Sequence, residues 1–471
     1  MIKTEFLPIS KKDLGRRGWQ ECDVILITGD AYVDHPSYGV ALIGRVLEDA
    51  GFRIAIIAQP DWRKNEDFSR FGKPKLFFGI TAGNLDSILS NYSVNRKIRK
   101  KDSFSPGGQP GLRPNRASIV YANKVREIFP GVPIVLGGIE ASMRRLAHYD
   151  YWSDEVRRSI LLDAKADMIV YGMGEHATVE IARKLAGGTD IKNLDGIRGT
   201  VVIRSGSDGL SDSVMLPSYE EVKGSKDKFN EAFRLSYIEN DPFRGKTVAQ
   251  KHGDRFIVQF PPPLPLSTEE LDAIYELPYA RNWHPLYDRA GGVPGFEVVR
   301  FSIISHRGCP GECSFCSLYA HQGRIVQSRS KQSVLNEVAL LADMPNFKGT
   351  ITDIGGPTAN LYQAFCENWC GAGACRDKNC MTPEKCPNLK LGYGETLDLW
   401  SEAMKLPLVK HLFISSGLRY DLLIDKESEP YLRELCKNHV SGQLKVAPEH
   451  SVNSVLDRKS TRLNSSHEWI S

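Results

Sequence analysis

The chain has no run approaching the roughly 20 apolar residues that cross a bilayer, so no membrane association is expected. It opens on Met1-Ile-Lys-Thr-Glu-Phe6, without the apolar core of a secretion signal. Charge of one sign is lacking too: 61 Lys and Arg against 57 Asp and Glu leave +4 over 471 residues. That is too little for whole-chain attraction to nucleic acid. Cysteine is scarce outside one window, since only Cys22 and Cys436 of the ten fall outside residues 309–386. Thiols crowded in this way read as metal ligands in a reducing cytoplasm, not as the disulfide framework of an exported protein. Cys22 and Cys436 are expected in the core.

What is present first is alternation. Asp23–Gly29, Arg53–Ala58, Leu76–Ile80, Pro133–Gly137 and Asp167–Gly172 are short apolar runs of buried-strand type. Helical patterns at Val40–Ala50, Ala117–Ile128 and His176–Leu185 fall between them. This predicts an N-terminal α/β domain over residues 1–200, a doubly wound parallel sheet. Residues 201–295 read as a connector, with the extended run Gln259-Phe-Pro-Pro-Pro-Leu-Pro265 and capping-box chemistry at Ser267-Thr-Glu-Glu270. Phe296–Ser305 reads as a buried strand and Lys331–Ala342 as a helix.

Between that strand and helix lies Cys309-Pro-Gly-Glu-Cys313-Ser-Phe315-Cys316. A CxxxCxxC tripod offers three thiolates and leaves one metal position without a protein ligand, whereas structural zinc and electron-carrier clusters normally take four. Other readings are core cysteines, or zinc with His306 or His321 as fourth ligand. The place favours chemistry, because parallel α/β folds put their sites at the carboxyl ends of strands.

The tripod, with an aromatic residue just before its last cysteine, resembles the radical S-adenosylmethionine (radical SAM) superfamily. The likeness covers roughly residues 296–456. Arg300–Cys316, Asp353-Ile-Gly-Gly-Pro-Thr-Ala-Asn-Leu-Tyr362 and Gln259–Pro265 resemble its YgiQ-type family more closely. The resemblance implies a partial (β/α) barrel carrying a [4Fe-4S] cluster on Cys309, Cys313 and Cys316. It further implies SAM at the open iron and an electron donor such as flavodoxin or ferredoxin. The implied activity is reductive cleavage of SAM to a 5′-deoxyadenosyl radical that abstracts hydrogen from an unknown substrate. By the same likeness Phe315, Gly355, Gly356, Pro357, Ser416 and Glu449 line the SAM pocket, at the ends of strands in Thr350–Pro357, His411–Arg419 and Leu444–His450. The N-terminal domain resembles cobalamin-binding-like domains. Where a base-off site needs Asp-x-His-x-x-Gly, however, this chain has Asp34-His35-Pro-Ser-Tyr-Gly39, one residue too tight, so cobalamin is not expected.

A second group, Cys366, Cys370, Cys375, Cys380 and Cys386, sits in an insertion over residues 363–390. It points to an auxiliary iron–sulfur cluster or zinc, with the four ligands left open. The basic stretch Asn95–Lys101 with Gly107–Arg116 offers a contact for phosphate or RNA, although Tyr92 and Phe104 are the only aromatics interleaved. His35, His148 and His176 fall at strand ends, as substrate contacts or as scaffold. Alternative functions are therefore a nonenzymatic iron–sulfur or zinc protein binding RNA through this loop, and a cobalamin-dependent radical SAM methylase. The last residues, 457–471, do not continue the preceding pattern and read as the translation of a sequencing-library adapter. The barrel is accordingly expected to be incomplete at its C-terminus, with late strands missing and a sheet edge exposed.

Overall fold

Strands buried on both faces read as unbroken apolar runs, and Val24–Thr28 (β1) is such a strand, buried at every residue. In this computed structural model, which describes residues 5–382, 384–444, 446, 452 and 454–456, it lies between two parallel neighbours. Val24 pairs with Ile54 of β2 (Ile54–Ala58) and with Phe77 of β3 (Phe77–Thr81). The parallel series continues through β4 (Ile134–Leu136) and β5 (Met168–Val170). Helices Gly39–Asp49, Ala117–Ile128 and Glu175–Ala186 form where the periodicity places them. Ile25, Ile27, Ile57, Phe78, Tyr121 and Ile169 belong to one buried cluster. Cys22 joins it; Cys436, expected in the core, is exposed.

The sheet does not end at residue 200. Thr200–Arg204 (β6) pairs antiparallel with β5, and Val214–Leu216 (β7), Val248–His252 (β8) and Arg255–Gln259 (β9) follow, in the order β7-β8-β9-β6-β5-β4-β3-β1-β2. The expected connector thus contributes strands, as far as Gln259, to a nine-stranded mixed sheet. Buried polar residues disguised it. Gln250 accepts from the Ala147 N–H at 2.8 Å and donates to Pro217 O at 3.0 Å, and Gln259 accepts from Arg145 at 2.7 Å. Polar groups bonded in this way to partners far along the chain can sit inside a sheet without any apolar signature. The chain divides into one unit of Met1–Leu264 with Leu277–Glu297, and a second of Pro265–Glu276 with Val298–Ser471. Helix Thr268–Tyr275, with the capping box read at Ser267 and Glu270, belongs to the second.

In the second unit Ser302–Ile304 (β10) pairs parallel with Asp353–Gly355 (β12), and Thr350–Ile351 (β11) pairs parallel with His411–Leu412 (β13). Helices Lys331–Ala342 and Tyr393–Lys405 lie between these strands in sequence and pack with Ile303, Ile351, Ile354 and Leu412 in one core. From β10 to β11 and from β12 to β13 the winding is strand–helix–strand. The predicted strand over Phe296–Ser305 is corrected in its first half: Pro294–Val299 is helical, with Val298 74% exposed. Proline fits the opening turn of a helix, and β-branching alone misled there. Only His411–Leu412 of the third expected strand is regular. The fourth is represented by a parallel bridge from Leu418 to Val446. Glu449 and residues 457–471 lie outside the described residues.

Arg329 holds the start of this unit together. Its Nη1 donates to Ile304 O at 3.0 Å and pairs with Glu337, its Nη2 reaches Ser333 Oγ at 2.8 Å, and the guanidinium lies 4.8 Å over Tyr275. Arg329 is fully buried and Glu337 nearly so. Removing one partner of a buried pair strands the other charge. Arg329→Met is therefore expected to cost about 3–5 kcal/mol, measured as a fall in the urea midpoint of unfolding; an unchanged midpoint contradicts this.

Candidate functional site

The cysteine loop leaves from the end of β10. His306–Arg307 pairs antiparallel with Gln327–Ser328, so residues 308–326 depart and return across one short ladder. Gly308 permits the departure: its φ is +85°, and a Cβ there would lie 2.0 Å from Ile325 O. Only glycine tolerates both conditions. Within the loop the Cys309 N–H donates to Gly323 O at 3.1 Å and the Cys316 N–H to Cys313 O at 2.9 Å. Glu312, at φ 49° and buried, pairs with Arg324 at 2.9 Å. Phe315 is 56% exposed.

The cation facing this loop comes from far along the chain. Arg419 Nη1 lies 3.4 Å from Cys313 Sγ, while Nη2 pairs with Asp421 at 2.6 Å. Asn360 clamps the Arg419 backbone from both sides, donating to its carbonyl at 2.8 Å and accepting from its N–H at 3.2 Å. Burial works against the Arg419 charge, but Asp421 and the neighbouring thiols hold its pKa above the ordinary value. Burial pushes the Cys309 thiol up to about 11 and raises Cys313 as well, with Arg419 pulling both the other way. Ligation by these two must therefore expel protons.

Cys313 and Cys316 both lie near enough to Cys309 to act on its charge. The thiols are neighbours without being converged: among the described residues no three His, Cys, Asp or Glu side chains meet closely enough to hold a metal as placed. The donor chemistry itself fits an iron–sulfur cluster, with three free thiols on one loop and a cation against one of them.

Across from the loop the glycine pair is packed tightly. A Cβ on Gly355 would lie 2.3 Å from Ser416 Oγ, and one on Gly356 would lie 2.6 Å from His306 O and 2.7 Å from His306 Nε2. Ser416 Oγ donates to Asp353, which also accepts the N–H groups of Ser415 at 2.9 Å and Ser416 at 3.1 Å. Burial raises the Asp353 pKa against these bonds. Pro357 follows, half-buried. His306 is corrected as a zinc ligand. Its Nε2 donates to Thr358 O at 3.0 Å, its Nδ1 faces Ser305 Oγ at 2.9 Å, and burial lowers its pKa to about 4. Both ring nitrogens are engaged. His321 lies on the short helix Leu318–Gln322.

The Radical SAM N-terminal family model matches residues 6–302. A UPF0313 protein of Clostridium botulinum (strain ATCC 19397 / Type A) is 50% identical over 457 residues, 97% of this chain and 71% of that protein. One from Methanocella arvoryzae is 52% identical over 449 residues, 95% of this chain and 74% of the relative. The chain belongs to the UPF0313 family of radical SAM enzymes. UPF0313 membership, with its YgiQ-type resemblance, implies a [4Fe-4S] cluster, SAM as a ligand and a reductant. Among solved structures, the radical SAM methyltransferase TsrM from Kitasatospora setae, with tryptophan and a SAM analogue bound, is similar at 16% identity and TM-score 0.47. The match covers 92% of this chain and 60% of that one. The cobalamin-dependent SAM radical enzyme OxsB is similar at 10% identity and TM-score 0.49, over 95% of this chain and 46% of that one.

In this UPF0313 chain Asp34 pairs with Arg45 and accepts the Ala280 N–H at 2.9 Å. His35 is buried and accepts the Ser37 N–H at 3.1 Å through Nδ1. The basic stretch is partly spent on structure. Arg113 is buried between Asp30 (2.7 Å) and Asp102 (3.2 Å), and Arg116 pairs with Asp150 at 2.9 Å. Lys97, Lys100 and Lys101 stay exposed. No helix among the described residues is long and apolar enough to cross a membrane. Sequence reasoning missed Arg419, Asn360 and Arg329 as site-building residues. Asn360 and Arg419 each stood inside a quoted strand-end run, but nothing local marks them as partners.

Proposed function

We propose that Cys309, Cys313 and Cys316 hold a [4Fe-4S] cluster and that SAM binds against it, between the cysteine loop and the ends of β12 and β13, in a partial (β/α) barrel. When bound, that pair supplies reductive cleavage of the sulfonium to a 5′-deoxyadenosyl radical, which takes hydrogen from the substrate. The observation carrying this reading is the Arg419–Cys313 contact. The Arg419 guanidinium, held by Asp421 on a backbone clamped by Asn360, is set where three thiolates would gather negative charge. Charge-assisted N–H···S contacts of this kind lower the cost of a thiolate-bound cluster and tune its potential.

The remaining residues shape the pocket. Gly355 and Gly356 leave no side chain at the strand end, so backbone is presented to the ligand. Asp353, fixed by Ser415 and Ser416, keeps that end rigid, and Ser416 closes its far side. Phe315, exposed beside Cys316, would cover the ligand in this reading.

The test is anaerobic reconstitution with iron and sulfide, reduction with dithionite, and assay of 5′-deoxyadenosine from SAM. Formation of the nucleoside is expected; its absence from cluster-replete protein defeats the reading. Arg419→Met is expected to lower cluster affinity or SAM cleavage about 10- to 100-fold, the usual cost of losing a group that supports metal ligands. Arg419→Lys should recover part of it.

A further inference from the structure

The insertion over residues 363–390 has little of its own to hold it. Its base is closed by Phe365 and Lys390, each N–H donating to the other's carbonyl at 2.9 Å. Among the described residues between them the only regular element is the short turn Glu367–Cys370. Trp369, Met381 and Leu389 are its large buried apolar residues, packed with Leu361, Ile325 and Leu422 from outside. Ordering so many irregular residues costs far more than burying three large side chains returns. Small lobes of this kind are held by crosslinks, either disulfides or metals. All five cysteines here are free thiols.

Four of the five share one neighbourhood, though as placed they do not converge closely enough to hold a metal, and the fifth is exposed. Cys380 has Cys366, Cys375 and Cys386 as its thiol neighbours. Cys366 lies within the buried apolar cluster, and Cys380 and Cys386 pack against it. The Cys386 N–H donates to Cys380 O at 2.9 Å, closing the turn that carries both. Asn368 Nδ2 lies 3.7 Å from Cys375 Sγ, an amide–sulfur contact of the kind that orients a thiolate. Cys370, at the end of the short turn, is exposed and stands outside the set.

We propose that Cys366, Cys375, Cys380 and Cys386 form a second metal centre, a tetrathiolate site that takes either one zinc ion or one iron–sulfur cluster, with Cys370 excluded. Both occupants accept four thiolates, so the donor set is common to them. The four thiols lie on irregular backbone, and that backbone takes up the closing movement as the metal draws them together. The centre is joined to the tripod loop through Arg324, which donates to Cys375 O at 3.3 Å and pairs with Glu312. The second site is therefore a prop for the first.

The test uses the full chain with Cys309→Ala, Cys313→Ala and Cys316→Ala combined, purified anaerobically, so that the tripod contributes no metal. Elemental analysis should still find about one zinc or about four irons per chain, with the absorption spectrum separating the two. Adding Cys370→Ser should leave that content unchanged, whereas Cys375→Ser or Cys380→Ser should lower it at least tenfold. Should the last variants fail to fold, native alkylation of the tripod-less chain gives a second readout. Cys370 should label at once, and the other four only after a chelator. A metal-free tripod-less chain overturns the proposal. So does a Cys370→Ser loss equal to that of Cys380→Ser, or a disulfide between two of the four thiols.

Discussion

Replacing Cys313 by alanine should reduce SAM cleavage to the level of a protein-free control while the chain keeps its circular dichroism spectrum. The effect is expected to be total because the tripod has no spare ligand: three thiolates already leave one metal position open, and a second open position lets the cluster decompose. Cys313 is the sharpest choice of the three. Its sulfur is the one that Arg419 touches at 3.4 Å, so its loss also removes the thiolate that this guanidinium faces beside Asp421. The side chain lies on an irregular loop, not in a core cluster, and so its removal should cost the fold little. Cys313→Ala protein that still forms 5′-deoxyadenosine within tenfold of the parent would place the cluster elsewhere.

Gly308→Ala should do nearly as much harm with every thiol intact. The added methyl would sit 2.0 Å from Ile325 O and 3.3 Å from Val326 Cα, just before the strand that returns from the loop. Overpacking of this sort costs about 1–3 kcal/mol, and the left-handed backbone adds about 1–2 kcal/mol for a residue with a Cβ. The strain is relieved by moving the ladder that sets Cys309, and a misplacement of about 1 Å can cost on the order of 10²-fold in rate. Thermal unfolding and SAM cleavage should therefore both fall. Gly291→Ala separates the causes: Gly291 has φ +85° in the left-handed region but nothing within 4 Å of an added Cβ. It should show the backbone cost alone. Equal losses for the two variants would remove the steric explanation.

What could be read from the sequence followed from how local each signal is. Val24–Thr28, Ile54–Ala58 and Phe77–Thr81 are continuous apolar runs because both faces are buried, and each was legible without its neighbours. The tripod was legible because its three thiols lie within eight positions of one loop. Arg419 was not, since its partner Cys313 is 106 residues away. The hairpin of β8 and β9 was hidden by polar residues whose partners lie elsewhere, Gln259 meeting Arg145 across 114 positions. The resemblance puts Gly355 and Gly356 in the lining of the SAM pocket. The structure adds a second reason for them, because Ser416 and His306 already occupy the space that side chains would need.

Helix Thr268–Tyr275 precedes the last segment of the first unit in sequence yet belongs to the second unit. Asp272 accepts the Ser330 N–H at 3.0 Å from it, and Tyr275 lies against Arg329. A fragment cut to begin at residue 298, the natural choice for anyone isolating the cysteine-bearing unit, would discard that helix and bare Arg329 to solvent. Limited proteolysis between the units would meet the same obstacle, for the chain crosses from one to the other three times, near residues 264, 276 and 297. No single cut respects both units, because Pro265–Glu276 belongs with the cysteine-bearing unit and Leu277–Glu297 with the first.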